Sequence, residues 1–387
     1  MKIVALGLRG IPDVMGGVET HCEQLYPRMR RLAPDIDITV LARKPYVSDD
    51  RDAFDGVTIR PIPAITHPYF EAILHTFLGL IHARFTERAD VVHIHAVGPG
   101  LLIPVAKLLG LSVVFTHHGE DYRRDKWNGV AKAALRFGER MAARFSNRMI
   151  SVSRPVAKSI VERYPDLAGR IRVIPNGAAL EAEAGTNAAE AASVLAELGL
   201  TPGRYVMTVA RLVPEKGIHD LVEAASGLPE GMKLVVVGGA QHGGAYAEGL
   251  LAKASDRIVF AGAMPRGRIA PLYRNTALFV LPSYHEGLPI VALEALAMGA
   301  RVLLSDIDAN RDLKLDAANY FPVGDIEALR RKLADPASIP MADTEFVLAR
   351  YDWDVIARET LDLFRSLGKV DGSFRPARLV SADDRSG

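Results

Sequence analysis

The 387-residue sequence is poor in cysteine and in long apolar segments. Its single cysteine, Cys22, excludes an internal disulfide framework and favours the cytoplasm. No apolar run approaches the ~18 residues that a membrane-spanning helix needs. The opening apolar run ends at Arg9, so it predicts a first β-strand rather than a signal peptide. We therefore expect a cytoplasmic protein, and Cys22, which lies in a helical pattern, should belong to the core.

Two common nucleotide-binding fingerprints are also missing. Arg9 stands where the second glycine of a G-x-G-x-x-G loop would be, and the chain contains no Walker A pattern. These absences argue against an NAD-dependent oxidoreductase and against a P-loop NTPase. A nucleotide ligand would therefore need a different kind of site.

The chain has almost no net charge, but its charge is unevenly distributed. The whole sequence carries +1, whereas residues 1–178 carry +7 and residues 179–387 carry −6. A basic half beside an acidic half suggests that the first half meets something anionic. We expect no nucleic-acid partner.

Alternating β-type runs and helical patterns predict two α/β domains, each with a parallel, doubly wound sheet. The first set of predicted strands is Ile3–Leu8, Ile38–Ala42, Val57–Pro61, Val91–His95, Val113–His117, Met149–Val152 and Arg172–Ile174. The second set is Tyr205–Val209, Lys233–Val237, Ile258–Ala261, Leu278–Leu281 and Val302–Ser305. The expected boundaries are an N-terminal domain 1–178, a connection 179–203, a C-terminal domain 204–352, a last helix 353–368 and a disordered tail 369–387.

The segment Ser283–Met298, SYHEGLPIVALEALAM, is the most informative part of the chain. It places two carboxylates, Glu286 and Glu294, around a Gly-Leu-Pro helix start. Pro289 suits the first turn of a helix, where a missing N–H costs nothing. Glu294 falls within an apolar helical stripe, so it should be buried with a partner or face a cleft.

The same helix start predicts an anion site. Gly287 lets the backbone approach a ligand closely. The N–H groups of Gly287, Leu288 and Ile290 should point out of the helix N-terminus, where a phosphate would be stabilised. Hydroxyl-binding acids around a phosphate-ready helix end suit a nucleotide sugar.

These residues resemble the E-x7-E signature of retaining glycosyltransferases of family 4. Four further blocks follow the family pattern in order, and the resemblance covers almost the whole chain. They are Gly16-Gly17-Val18-Glu19, His117-His118-Gly119, Pro175-Asn176-Gly177 and Ala210-Arg211-Leu212 with Pro214-Glu215-Lys216-Gly217. The resemblance implies the GT-B fold, in which two Rossmann-like domains face each other across a cleft, with the nucleotide mainly on the second domain and the acceptor on the first. In that fold the last helix crosses back to the first domain.

The resemblance also implies roles for single residues. Arg211 and Lys216 match the clamp on the leaving diphosphate, where fixed cations stabilise departing charge. Glu286 should contact the donor sugar, and Glu294 should contact the ribose. Gly16 and Gly17 match the loop that reaches the donor phosphate and sugar. The predicted catalytic residues are His118, Arg211, Lys216 and Glu286, and the predicted donor-binding residues are Gly16, Gly17, Arg211, Lys216, Glu286, Gly287, Leu288, Pro289 and Glu294.

The histidines admit other readings. His118 is the catalytic candidate, but His117 is its rival, because neighbours on a strand point to opposite faces. His93 and His95 share a strand face and, with the later pair, could suggest zinc; no cysteine or carboxylate spacing supports it. The pair Asp306 and Asp308 matches a D-x-D metal signature only by its letters. No cofactor or metal is expected, since reactions of this family are usually metal-independent.

A basic row predicts a second binding surface. Lys132, Arg136, Arg140, Arg144 and Arg148 recur at steps of four, which on one helix forms a cationic stripe. The stripe is either a solvated helix face or a surface that docks on an anionic membrane. A lipid-linked glycan acceptor, and a peripheral position on the inner face of the cell membrane, would account for the second reading.

The sequence thus predicts a retaining glycosyltransferase that moves a sugar from a nucleotide sugar to a glycan or lipid-linked acceptor in polysaccharide or glycoconjugate synthesis. A sugar-nucleotide epimerase of similar fold is one alternative. A non-catalytic nucleotide-sugar-binding protein is another, although it should have lost the acidic pair and the phosphate clamp.

Overall fold

The structure is a computed structural model, and it describes residues 1–14, 16–48, 52–67, 70–120, 122, 127–178, 188–240, 244–343, 345 and 349–368. The chain divides into two compact units: the first holds Met1–Arg123, Trp127–Pro175 and the chain from Asp354 onward, and the second holds Asn176–Trp353. The predicted tail 369–387 and residues 179–187 of the predicted connection lie outside the described residues.

The first unit is a parallel sheet covered by helices. Its sheet order is β3-β4-β2-β1-β5-β6-β7-β8, and only β3 runs antiparallel to its neighbour. The strands are β1 (Lys2–Leu6), β2 (Asp37–Arg43), β3 (Ala53–Phe54), β4 (Val57–Ile62), β5 (Val91–His95), β6 (Ser112–His117), β7 (Arg148–Ser151) and β8 (Ile171–Val173). The helices are α1 (Gly17–Leu32), α2 (Glu71–Phe85), α3 (Val97–Gly100), α4 (Ile103–Leu108), α5 (Gly129–Phe145) and α6 (Arg154–Arg163).

The second unit repeats this plan with six strands in the order β11-β10-β9-β12-β13-β14. The strands are β9 (Tyr205–Val209), β10 (Lys233–Val237), β11 (Ile258–Gly262), β12 (Leu278–Leu281), β13 (Val302–Ser305) and β14 (Tyr320–Phe321). The helices are α7 (Ala188–Glu197), α8 (Ile218–Ala224), α9 (Ala245–Leu251), α10 (Arg266–Asn275), α11 (Ile290–Ala297), α12 (Asp308–Arg311) and α13 (Ile326–Leu333). A last helix, α14 (Trp353–Arg365), belongs to the first unit from Asp354 on.

The central strands form where the sequence has short continuous apolar runs. Strands β5 and β12 are buried along their whole length, as expected for parallel strands covered on both faces. Each sheet has a point at which the strand order reverses, between β1 and β5 and between β9 and β12. Ligands of open α/β sheets bind beyond the C-terminal strand ends at such points. Of the predicted motifs, the glycine block follows β1, the block with Arg211 and Lys216 follows β9, and the segment with Glu286 follows β12.

Three local predictions differ from the structure. The predicted strands are right to within one or two residues, but β3 and β14 were missed because two-residue strands leave no periodic pattern. Residues 188–203 were predicted as part of the connection, with a helical pattern at Ala188–Leu198; the helix is present as α7, but it packs on α10 within the second unit. Pro289 is the N-cap residue of α11 rather than a residue of its first turn, so Gly287 and Leu288 lie in the preceding loop.

The basic row does not continue to Arg148. Helix α5 ends at Phe145, because the next residue, Ser146, adopts extended backbone angles. The side-chain oxygen of Asn147 then accepts a hydrogen bond from the Val113 N–H at 2.9 Å, which starts β7 beside β6. Arg148 is therefore the first residue of a strand, and the row on the helix consists of Lys132, Arg136, Arg140 and Arg144.

Candidate active site

The second unit collects predicted site residues at the ends of two neighbouring strands. Strand β9 pairs with β12 in parallel. The partly buried Arg211 and the 3-10 turn Pro214–Lys216 follow β9, while Glu286 follows β12. Because the C-terminal ends of parallel strands meet at one edge, residues far apart in sequence come together there.

Lys216 and Glu286 form a partly buried ion pair. The Lys216 Nζ donates to Glu286 Oε1 at 2.5 Å, and the side chains are only 18% and 9% exposed. Burial alone raises the pKa of Glu286, but the charge and hydrogen bond of Lys216 and the hydrogen bond of Ser283 outweigh it, so the pKa is lowered. The hydroxyl of Ser283 donates to the same oxygen at 2.7 Å. Glu286 is therefore an ionised carboxylate that is held in one orientation.

The loop between β12 and α11 is fixed by hydrogen bonds from other parts of the second unit. The Ser305 hydroxyl donates to the Ser283 carbonyl oxygen at 2.5 Å, and the Asn310 side chain donates to the Ser305 carbonyl at 2.9 Å. The Asn176 side chain donates to the carbonyl of Leu288 at 3.3 Å. The Pro-Asn-Gly block and the Gly-Leu-Pro block of the sequence are thus in contact, and the loop is rigidly placed.

Glu294 lies on α11 and is held by two residues of α10. Arg266 approaches Glu294 Oε1 at 3.4 Å, and the Tyr273 hydroxyl donates to Oε2 at 3.3 Å. Burial, and then the negative charge of Glu294, raise the pKa of Tyr273 well above its usual value, so the phenol stays protonated. The Glu294 side chain is 12% exposed, which fits the prediction of a buried acid with partners. Both contacts are long enough for a ligand hydroxyl to compete for the carboxylate.

In the first unit, the glycine loop after β1 is clamped by an ion pair. The Glu19 carboxylate accepts hydrogen bonds from the Arg9 backbone N–H at 3.1 Å and from its guanidinium at 3.0 and 3.1 Å. A Cβ atom on Gly16 would collide with both the Glu19 carboxylate and the Arg9 guanidinium, whereas Gly17 faces open space. A side chain at position 16 would therefore displace the Glu19–Arg9 ion pair, and Gly17 leaves room at the start of α1.

The structure separates the two histidines that follow β6. His117 is fully buried; its Nδ1 accepts from the Gly119 N–H at 3.2 Å, so its Nε2 carries the proton and donates to Glu139 at 3.0 Å. His118 is partly exposed, and its Nε2 lies 2.9 Å from His95 Nδ1. His117 thus has a structural role, which leaves His118 as the residue able to meet a ligand.

His118 and the glycine loop lie at the same strand edge. His21, on the helix that begins at Gly17, stands edge-on to the His118 ring with centroids 4.9 Å apart. Burial and the neighbouring histidines lower the pKa of His118 and His95 well below the usual value. Both rings are therefore neutral at pH 7.

Two protein-family models match the chain over the ranges that contain these motifs. The model described as Glycosyltransferase Family 4 matches residues 15–182, and the model described as Glycosyl transferases group 1 matches residues 196–345. The chain belongs to glycosyltransferase family 4. This confirms the prediction made from its motifs, and the protein is accordingly a glycosyltransferase.

Relatives and solved structures support the same fold for this family-4 glycosyltransferase. Alpha-maltose-1-phosphate synthase of Mycolicibacterium smegmatis is 27% identical over 399 residues, covering 95% of this chain and 100% of the relative. Sucrose-phosphate synthase of Thermosynechococcus elongatus superposes with a TM-score of 0.77 at 22% identity, covering 95% and 99% of the two chains. Anabaena HepE, solved in complex with UDP-glucose, gives 0.75 at 18% identity, covering 95% and 100%. The predicted GT-B fold is confirmed.

Several residues of this glycosyltransferase could not be assigned from its sequence. Arg266 and Tyr273 support Glu294, and no motif singled them out. Ser283 opens the segment analysed above, but its hydrogen bond to Glu286 was not predicted. His21 and Tyr26 approach His95 from α1, at 5.7 Å between ring centroids and at 2.6 Å between hydrogen-bonding atoms respectively. Their helical spacing of five residues carries no chemical signal by itself.

A metal remains unexpected in this glycosyltransferase. Within the described residues, His21, His95 and His118 form a group whose ligand atoms lie within 4.8 Å of one another. Nitrogens on one tetrahedral zinc ion lie about 3.3 Å apart, given Zn–N distances of about 2.05 Å. The 2.9 Å between His95 and His118 is instead a normal hydrogen-bond length. The geometry of the His95–His118 pair therefore fits a hydrogen bond better than two ligands of one ion.

Proposed function

We propose that this glycosyltransferase moves a hexose from a nucleotide-sugar donor to an acceptor hydroxyl with retention of anomeric configuration. The observation that carries the proposal is the partly buried Lys216–Glu286 pair at the strand switch of the second unit, close along the chain to Arg211. A cation that is partly withdrawn from water stabilises charge developing on a leaving diphosphate better than a fully hydrated cation does. Anabaena HepE, which shares this fold, was solved in complex with UDP-glucose.

In this proposal different residues bind different parts of the nucleotide sugar. Arg211 and Lys216 neutralise the diphosphate, and the loop Gly287-Leu288-Pro289 approaches it with its backbone. Glu286 accepts hydrogen bonds from the sugar hydroxyls, and Glu294 accepts them from the ribose. Gly16 and Gly17 leave room for the donor at the first unit. Each role follows the family motif at that position, and the rigid loop and buried carboxylates described above support it.

The proposed transfer needs no nucleophile from the protein. The acceptor oxygen attacks C1 on the face from which the diphosphate departs, the C1–O bond to phosphate breaks, and the acceptor proton passes to a phosphate oxygen. His118 lies on the acceptor side as a neutral hydrogen-bonding partner. The clamp cations take the place of a metal ion, so activity should survive EDTA.

Product analysis with a panel of donors tests this function. UDP, GDP, ADP and dTDP are first ranked by thermal shift, since a ligand at ~100 times its Kd should stabilise the protein by about 2.7 kcal/mol. The matching nucleotide hexose should then give free nucleotide and an α-linked product from an α-linked donor, with and without EDTA. A changed nucleotide sugar without transfer would identify an epimerase, and binding without turnover would identify a non-catalytic protein.

We further propose a lipid-linked glycan acceptor, as used in polysaccharide or glycoconjugate synthesis, and docking on an anionic membrane surface. Within the described residues no helix is long and apolar enough to cross a bilayer. Helix α5, however, exposes Arg136, Arg140 and Arg144 beside Phe137, which is 51% exposed. Basic and apolar side chains on one exposed helix are typical of surfaces that lie in a membrane interface.

Apolar exposure continues over the adjacent helices. Helix α4, with Leu108 87% exposed, contacts both α2 and α5. Helix α2 and the residues before it expose a set of large apolar side chains and line a groove of about 400 Å³. The groove residues are Ile65, Phe70, Ile73, Leu74, Phe77 and Leu102. Apolar surface of this extent marks an interaction site on most proteins.

Vesicle sedimentation tests the membrane proposal. At low salt the protein should pellet with vesicles that contain phosphatidylglycerol and not with neutral ones. Raising the salt should weaken pelleting, because the Debye length falls from about 10 Å at 0.1 M to about 3 Å at 1 M. Changing the four basic residues of the row to glutamine should abolish pelleting and spare transfer to a water-soluble acceptor; these residues are Lys132, Arg136, Arg140 and Arg144.

The matched control changes four exposed basic residues of the second unit to glutamine, namely Arg204, Lys253, Lys314 and Arg331. It removes the same charge and should leave pelleting intact. Equal losses in both variants would mean that only overall charge matters. A protein that ignores anionic vesicles at low salt would show that the row is a solvated helix face.

A further inference from the structure

A continuous chain of hydrogen bonds runs through the core of the first unit to His118. His93 Nε2 lies 2.7 Å from the Thr116 hydroxyl, and His93 Nδ1 lies 2.9 Å from the Tyr26 hydroxyl. The same Tyr26 oxygen lies 2.6 Å from His95 Nε2, and His95 Nδ1 lies 2.9 Å from His118 Nε2. The first four members of this series are fully buried, namely Thr116, His93, Tyr26 and His95. The last member, His118, is partly exposed.

This series of hydrogen bonds places more polar groups in the core than packing alone requires. Tyr26, His93 and His95 occupy positions that apolar side chains would fill at no cost in desolvation. Phe364 of α14 closes the cluster by packing against the His93 ring at 5.2 Å. Because each polar group in the chain has its partner, the cluster is rigid, and a fully satisfied buried network specifies one arrangement of its members.

The protonation states couple these groups, because the direction of one hydrogen bond determines the direction of the next. Burial lowers the pKa of His93 and His95 well below the usual value and raises that of Tyr26, so each ring carries one proton. Two proton arrangements satisfy the distances. When Tyr26 donates to His93, His95 donates through Nε2 to the Tyr26 oxygen, His118 Nε2 donates to His95 Nδ1, and His118 Nδ1 is an acceptor. When Tyr26 donates to His95, each of these bonds reverses and His118 Nδ1 carries the proton, so in both arrangements the Tyr26 hydroxyl sets the tautomer of His118.

We propose that Tyr26, His93 and His95 act as positioning residues that fix the ring and the tautomer of His118. With Nε2 committed to His95, the other nitrogen, Nδ1, is presented to a hydroxyl of the bound sugar. The identity of that ligand rests on the proposed function. The tautomer of His118 does not depend on it. A similar arrangement orients histidines in other sites, where a second group holds one ring nitrogen.

The test is the variant Tyr26→Phe, which keeps the ring and removes the central link. Transfer should fall about 10- to 100-fold in kcat, because small misplacements of a reacting group have effects of that size, while the Kd of the nucleotide stays unchanged. In ¹⁵N spectra, His118 should be a single tautomer in the intact protein and a mixture of both in the variant. Tyr46→Phe, a partly buried tyrosine of the same unit that bonds Glu71, is the matched control.

The readouts separate the ways in which the proposal can fail. An unchanged His118 tautomer in Tyr26→Phe would overturn it, whether or not activity falls. If Tyr26→Phe fails to fold, His95→Phe replaces it, since it removes the direct partner of His118 Nε2. The His118 tautomer should then become a mixture, and an unchanged single tautomer would overturn the proposal. Stoichiometric zinc in the purified protein, with metal-shifted His95 and His118 signals, would overturn the proposal in favour of a metal site. Absence of any transfer by the intact protein would reject the proposed function and leave the tautomer result standing.

Discussion

Replacing Lys216 with alanine should lower kcat by about 100-fold or more and should change the donor KM much less. The ammonium group should act mainly on charge that grows as the diphosphate leaves, so its loss affects the transition state more than the bound donor. Arg211→Ala should act in the same direction. Steady-state kinetics with the donor found in the screen measures both variants. Lys253→Ala, an exposed lysine of the same unit, is the control.

Because Lys216 is paired with Glu286, the effect of its loss on stability must be separated from its effect on turnover. Lys216→Ala leaves the carboxylate of Glu286 buried without its cation, and an unpaired buried charge destabilises a protein by itself. The double variant Lys216→Met with Glu286→Gln removes both charges, so it should recover thermal stability without recovering turnover. Recovery of turnover together with stability would show that the pair is structural. Near-normal kcat in both Lys216→Ala and Arg211→Ala would remove these cations from the mechanism.

Replacing Glu294 with glutamine should weaken the binding of free nucleotide by about 1.5–3 kcal/mol, or roughly 10- to 150-fold in Kd. The change keeps the size of the side chain and one acceptor, but it removes the charge-assisted hydrogen bonds to the ribose hydroxyls. Isothermal titration calorimetry with the nucleoside diphosphate measures the effect directly.

Two controls separate ligand binding from support of the helix. Glu223→Gln makes the same change at an exposed position on α8 and should not alter the affinity. Tyr273→Phe removes one of the existing partners of Glu294 and should weaken binding less than Glu294→Gln does, because the carboxylate and Arg266 remain. Unchanged nucleotide affinity in Glu294→Gln would reject the ribose role.

Much of the fold could be predicted because parallel strands buried on both faces appear as short continuous apolar runs. Val91–His95, Tyr205–Val209 and Leu278–Leu281 were predicted to the residue for that reason. Element ends were less certain, since capping and edge contacts decide them. The end of α5 before Arg148 depends on the hydrogen bond of Asn147 to Val113 on a neighbouring strand, which periodicity cannot reveal.

The sequence by itself determined the α/β class, the family and the positions of the motifs, because apolar periodicity and motif order are local properties of the chain. Only the tertiary structure decided which side chains contact each other. Lys216 and Glu286 are 70 residues apart, and they meet because the sheet order places β9 beside β12. Tyr26 meets His95 across 69 residues because α1 packs on the sheet beside β5. Strand order and helix packing follow from the burial of the whole core, so contacts of this kind cannot be obtained from local pattern.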